Sequence, residues 1–318
     1  MPQLSLLGPE NVITPRSTGR LDVYSTSRMI RILGTIFAGL FGLAFGSFLN
    51  VCLSRWPEGE SIVHPHSHCR TCDHTLSWWE NIPLASWLFL RGRCRNCHAS
   101  IGWRYPLVEL AVGVLWAAVA WRSYIAFFPL EFALGMMSLM WALVCLAALD
   151  AERLWLPDAI TLPGIIVGFG WWFLQGEEVG WALNIPGTLR EDVMSAGKRL
   201  LEILAAAALI LLIRWLYKLI RHREGIGLGD AKLMAMLAAW LGLPGALLAF
   251  ALGVVIGTVV ALAVLVSPSL RRDPSAHTDS TLWSASKLPL GTFLCIGGII
   301  ASLWGQPIIA AYLRWSGL

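Results

Sequence analysis

Between Lys232 and Arg271 the chain carries no ionisable side chain. A helix on the surface of a water-soluble domain needs one polar face, and this run offers none. It is also long enough to cross a bilayer, for which about 20 mostly apolar residues suffice. Similar runs recur along the sequence, at 32–53, 105–122, 127–149, 159–175, 199–219, 231–242, 244–267 and 289–313. The sixth is short and is separated from the seventh by "GLPG" at Gly242–Gly245, a place to tilt, end early or turn back. Only 14% of residues are charged, against about 25% in soluble domains. The expected fold class is therefore an all-α polytopic membrane protein of about eight transmembrane helices surrounded by lipid. A net charge of +4 gives no reason to expect a nucleic-acid partner.

The polar stretches divide the chain. Residues 1–29 read as a tail rather than a cleavable signal peptide, followed by a first transmembrane helix over 30–53. Residues 54–104 are long enough for a small domain, and 105–318 hold about seven further helices. Residues 176–198 read as an acidic linker and 268–288 as a polar loop. No sequence repeat of the kind that marks many transporters is visible. Arginine and lysine favour the cytoplasmic side of a membrane. With eight spans, the insert 54–104 and the loops 150–158, 220–230 and 268–288 share one side and hold the larger set of these residues. That side is read as cytoplasmic.

The insert contains Cys69-x-x-Cys72 and Cys94-x-x-Cys97. Two such pairs approximate the spacing of a zinc ribbon, in which four thiolates complete a tetrahedral site. Two disulfides are the alternative, but they need an oxidising compartment and the insert is expected in the cytoplasm. His64, His66, His68, His74 and His98 crowd the same region and read as surface histidines. Cys52, Cys145 and Cys295 lie in or beside apolar runs and read as buried thiols.

Ionisable groups inside membrane spans are costly, so each is a functional candidate. Asp150 ends the third span and Asp230 opens the sixth, in "GIGLGDAKL". On the expected topology both sit at the same membrane edge. Two carboxylates sharing a low-dielectric site share a proton, leaving one as general base and the other as general acid. Such a pair can activate water and protonate a leaving amine. Gly227 and Gly229 would then let a substrate backbone approach. An aspartate there is also an ordinary N-cap, and a Gly-Asp pair an ordinary turn. Asp158 reads as a cap for the fourth span, Lys232 as an interfacial anchor, and Glu109 as a possible third acid facing the same interior.

Taken together, these segments resemble the bacterial type IV prepilin peptidases, membrane aspartic proteases of the Gly-x-Gly-Asp class. The likeness runs from about residue 34 to 300 and rests on "GSFLNV", the paired cysteine insert, "RYPLVEL", "LDAERLWLPDAITLP", "GIGLGDAKLMAMLAAWLG" and "LPLGTFLCIGG". It implies that Asp150 and Asp230 are the catalytic pair, and favours Asp150 over Asp158. It implies prepilin or pseudopilin substrates, cut after a glycine at the cytoplasmic face of the inner membrane. It implies structural Zn2+ on Cys69, Cys72, Cys94 and Cys97. It also implies N-methylation of the new terminus with S-adenosylmethionine, although nothing here reads as a nucleotide-binding fingerprint; the region near Glu109 and Gly46–Asn50 is the expected place. The closing segment departs from the family's Pro-Phe-Gly-Pro-Phe, with Leu290 and Thr292 in place of Phe and Pro. Other classes remain: an ion-coupled carrier using paired intramembrane carboxylates, or a scaffold displaying a zinc ribbon.

Overall fold

The computed structural model describes residues 18–126, 128–182, 189–222, 227–266 and 289–317. Within them the chain forms α1 (Thr18–Arg55), the short α2 (Ala85–Phe89), α3 (Arg104–Ala126), α4 (Leu130–Arg153), α5 (Asp158–Ala182), α6 (Leu189–Arg221), α7 (Leu228–Val266) and α8 (Leu290–Ser316). No strand is present among these residues, only two isolated antiparallel bridges in the cysteine insert. The architecture is all-helical, as expected.

Two boundaries differ from expectation. α1 begins at Thr18, inside the stretch expected to be a tail. From Arg20 to Leu33 neither Pro nor Gly occurs to stop a helix. The linker expected over 176–198 is mostly helical, since α5 runs to Ala182 and α6 starts at Leu189. The loop 268–288, with Arg271, Arg272 and Lys287, lies outside the described residues.

The expected count of about eight spans is not confirmed. Among the described residues six helices, rather than eight, are long and apolar enough to cross a membrane: α1, α3, α4, α6, α7 and α8. α5 is not among them by its described residues alone, although Ala159–Leu174 carries no ionisable side chain. The expected sixth and seventh spans join in α7, which bends at Gly242 (φ 74°, ψ 171°). That left-handed φ is open to glycine and costly for other residues. From Asp230 to the bend is about 18 Å of helix at 1.5 Å per residue, short of the ~30 Å hydrocarbon core. The bend therefore exposes backbone groups at membrane depth, where they need protein partners. α6 supplies them. Arg199 donates to Ala238 O at 3.4 Å and to Glu202 Oε2 at 3.1 Å, and Leu243 N–H donates to the same Glu202 oxygen at 3.4 Å.

The core forms around the first half of α7, whose residues Leu233, Met234, Met236, Leu237, Ala238 and Ala239 are fully buried. α5, α6 and α8 pack against α7, α8 also packs on α4, and α1 packs along α3. In lipid, packing and hydrogen bonding rather than water exclusion hold such helices together. α8 is the link that matters most, because it touches both acid-bearing helices.

Candidate active site and metal centre

Asp150 lies in the last turn of α4 and Asp230 in the first turn of α7, exposed by 5% and 7%. Both border Leu156: Gly291, which lies against Asp150, and Gly229, which precedes Asp230, each pack on it. The two acids matched in depth by sequence are thus brought into one buried site. Their surroundings differ. Asp150 Oδ2 accepts the Thr292 N–H at 2.6 Å and the Thr292 hydroxyl at 3.1 Å. Thr292 is in the first turn of α8, where N–H groups have no partner within the helix. Asp150 therefore caps α8 and sits at the positive end of its dipole. Asp230 Oδ2 accepts one hydrogen bond, from Gly227 N–H at 3.2 Å.

Small residues pack closely around Leu156. A Cβ at position 291 would lie 2.9 Å from both Asp150 Oδ2 and Leu156 Cδ1, and one at position 229 would lie 2.9 Å from Leu156 Cβ. Gly229 is therefore required by packing against Leu156. At Gly227 an added Cβ would meet only Asp230 and Gly229.

The remaining sequence candidates go elsewhere. Asp158 opens α5, and its Oδ1 pairs with Lys232 Nζ at 2.6 Å, tying α5 to α7 on an exposed edge. Glu109, 8% exposed, does not join the aspartates. It accepts the Leu84 N–H of the cysteine insert at 2.8 Å. A Cβ at position 46 would lie 2.7 Å from Glu109 Cα, so the glycine of "GSFLNV" is where α1 closes on α3. Cys52, Cys145 and Cys295 are buried, as expected. Sequence reasoning missed Thr292 as a partner of Asp150. The one signal was that it replaces a proline of the family pattern, and proline has no N–H to give.

The four cysteines of the insert converge. Each pair sits in a tight turn of the same design. Cys69 N–H donates to His74 O and Asp73 N–H to Cys69 O, both at 2.9 Å. Cys94 N–H donates to Ala99 O at 2.9 Å and His98 N–H to Cys94 O at 3.0 Å. Asp73 and His98 occupy matching positions with φ of 53° and 57°. All four Sγ atoms lie within 4.8 Å of one another, with Cys69–Cys97 at 3.8 Å and Cys72–Cys94 at 4.0 Å. A tetrahedron with metal–sulfur bonds of ~2.3 Å has edges of ~3.8 Å, so this donor set fits a metal ion. Of the histidines, His74 is half-buried, with its Nε2 3.5 Å from Glu80 Oε2.

Comparison with known proteins identifies the family. Residues 40–123 match the family model "Bacterial Peptidase A24 N-terminal domain" and residues 137–262 match "Type IV leader peptidase family". A protein of Stutzerimonas stutzeri named prepilin leader peptidase/N-methyltransferase is 34% identical, over 88% of this chain and 93% of its own length. Proteins of the same name from Pseudomonas aeruginosa and Aeromonas hydrophila are 34% and 35% identical, over 93% and 86% of this chain and 98% and 92% of their own lengths. No solved structure gives a significant match. The first model spans the cysteine turns and α3, the second spans both aspartates and the bent helix, and with these relatives they establish that the chain belongs to the type IV leader peptidase family.

Proposed function

We propose that the protein is an aspartic endopeptidase of the bacterial inner membrane. It removes the leader of type IV prepilins or type II secretion pseudopilins at the cytoplasmic face and then methylates the new N-terminus. The observation that carries the peptidase reading is the pair Asp150 and Asp230, buried together at the ends of α4 and α7. Asp150, accepting two hydrogen bonds on one oxygen, has the surroundings of an ionised carboxylate and serves as the base that takes a proton from water. Asp230, with one backbone donor, holds the shared proton and delivers it to the leaving amine. The peptide carbonyl attacked by water passes through a tetrahedral intermediate between them. The open backbone at Gly227 is where substrate approaches.

Residues 54–104 form the cytoplasmic domain, and Cys69, Cys72, Cys94 and Cys97 hold a structural zinc ion there. Four sulfur donors leave no open position, which suits a structural ion rather than a catalytic one. S-adenosylmethionine would supply the methyl group in the second reaction.

The test is cleavage of a prepilin-type substrate in membranes by wild type and by Asp150→Asn, Asp230→Asn and Asp158→Asn. Loss of cleavage in the first two and retention in the third is the expected pattern. Wild-type cleavage by Asp150→Asn or Asp230→Asn would remove the assigned dyad and favour an ion-coupled carrier. A methyl mass on the product's N-terminus tests the second reaction.

A further inference from the structure

α2 is five residues long, too short to be stable on its own backbone bonds, and tertiary ties fix it in place. At its start, Leu84 N–H donates to Glu109 Oε2 of α3 at 2.8 Å. Further on, Trp87 packs on Trp103, with ring centroids 4.4 Å apart, and its Nε1–H donates to Ile101 O at 3.2 Å. The chain then reverses at Gly92 (φ 65°), so close to Trp87 that a Cβ there would lie 2.9 Å from Cζ2. α2 is thereby pinned beside the first two turns of α3, with Trp87 turned towards that helix. Leu88 and Phe89 are left facing outward, 67% and 85% exposed.

α3 shows what they face. Trp103, Leu107, Leu110 and Val114 are spaced four, three and four residues apart, which places them on one side of a helix. All four are exposed. Because α3 is long and apolar enough to cross a membrane, this stripe meets lipid. Its polar edge is marked by Arg104, which pairs with Glu152 at 2.9 Å where α3 starts and α4 ends. Trp103 sits at that edge, the level at which indoles settle in a bilayer. The outward face of α2 lies next to Trp103 and continues the lipid-facing stripe of α3 onto the cysteine domain. Two exposed cations follow, Arg91 and Arg93, and Arg91 N–H donates to Leu88 O at 3.1 Å.

We propose that α2 anchors the cysteine domain to the membrane surface. Leu88 and Phe89 enter the acyl chains beside Trp103 and Leu107, and Arg91 and Arg93 meet the phosphates of anionic phospholipid. Exposed apolar rings set side by side are a liability in water. The boundary between headgroups and acyl chains accepts them, together with long cationic side chains that reach back to the phosphates. Segments of this kind bind by their buried apolar area and by attraction to anionic lipid. The chain already joins the domain to α1 at Arg55 and to α3 at Arg104. A third contact at α2 fixes its tilt on the bilayer.

The experiment places full-length protein in nanodiscs of phosphatidylethanolamine and phosphatidylglycerol, with the photocrosslinker p-benzoylphenylalanine at position 89 or, separately, at position 107. Position 107 reports the lipid face of α3 and calibrates the yield. After irradiation, intact mass should show a phospholipid adduct at 89 in at least a fifth of the yield found at 107; a lower yield overturns the proposal. In the same discs, trypsin should cut wild type after Arg91 and Arg93 at least tenfold more slowly than Leu88→Ser/Phe89→Ser. Thermal unfolding checks that the double variant is folded, and equal cutting of a folded variant also overturns the proposal. Replacing phosphatidylglycerol by phosphatidylcholine should speed cutting of wild type at least threefold, and an unchanged rate overturns the contact assigned to the arginines.

Discussion

Replacing Thr292 by Val tests whether Asp150 depends on the donors that α8 presents to it. Val has nearly the shape of Thr but lacks the hydroxyl, which lies 3.1 Å from Asp150 Oδ2 and 3.0 Å from Ala147 O. The hydroxyl has one proton and can satisfy only one of these acceptors at a time. The backbone N–H at 2.6 Å is untouched. If the proton goes to the carboxylate, the loss is that of a charged hydrogen bond, about 1.5–3 kcal/mol. At 1.36 kcal/mol per factor of ten, kcat/KM should fall roughly 10- to 150-fold. If it goes to Ala147, a neutral bond worth about 1 kcal/mol is lost, and the fall is only about fivefold. The assay is leader cleavage of a prepilin-type substrate in detergent, with kcat and KM measured separately. The loss should appear in kcat, since Thr292 acts through Asp150 rather than on substrate. Thr292→Ser keeps the hydroxyl and should recover most of the rate. Wild-type kcat in Thr292→Val, or a Thr292→Ser variant as slow as Thr292→Val, would refute the reasoning.

Gly291→Ala should lower cleavage more than it lowers stability, because the added methyl would press on Asp150 Oδ2 at 2.9 Å; overpacking of this kind costs about 1–3 kcal/mol, read from kinetics alongside thermal unfolding. Arg199→Met leaves Glu202 without its cation, keeping only the Leu243 N–H, beside the α7 bend. Both side chains retain some exposure, at 13% and 18%, so the cost should fall near the lower end of the ~3–5 kcal/mol typical of broken buried pairs. The double variant Arg199→Met/Glu202→Leu should be more stable than Arg199→Met alone in a detergent melt. Metal analysis should find one zinc per chain and almost none in Cys94→Ser, since Cys94 is the buried member of the set. A chelator strong enough to strip the ion should lower the melting temperature and expose the insert to protease first, because a site of this kind contributes its binding energy to folding.

The sequence made the helical membrane class legible because a bilayer imposes a one-dimensional rule: long uncharged runs must be helices that satisfy their own backbone. It made the four-cysteine cluster legible because a thiol pair with two residues between is a local geometry, and both turns close within the segments that carry them. It also made the two aspartates legible as rare charges at span ends. Helix ends were less legible. Nothing chemical stops α1 at residue 30, and polar residues within 176–182 and 189–198 still form helix, since polarity does not forbid it. Gly242 marked a break, but whether the chain would leave the membrane or bend within it depends on Arg199 and Glu202, which lie on another helix. The pairings across helices were decided by the tertiary structure alone. Asp150 meets Thr292 because α8 packs on α4, and α8 packs on α7, the helix of Asp230, as well. Glu109 turns instead to the cysteine insert because α3 closes on α1 at Gly46. Span composition is a property of each segment by itself, whereas the partner of a buried charge is set by which helices touch and at what rotation, and no single stretch of sequence carries that information.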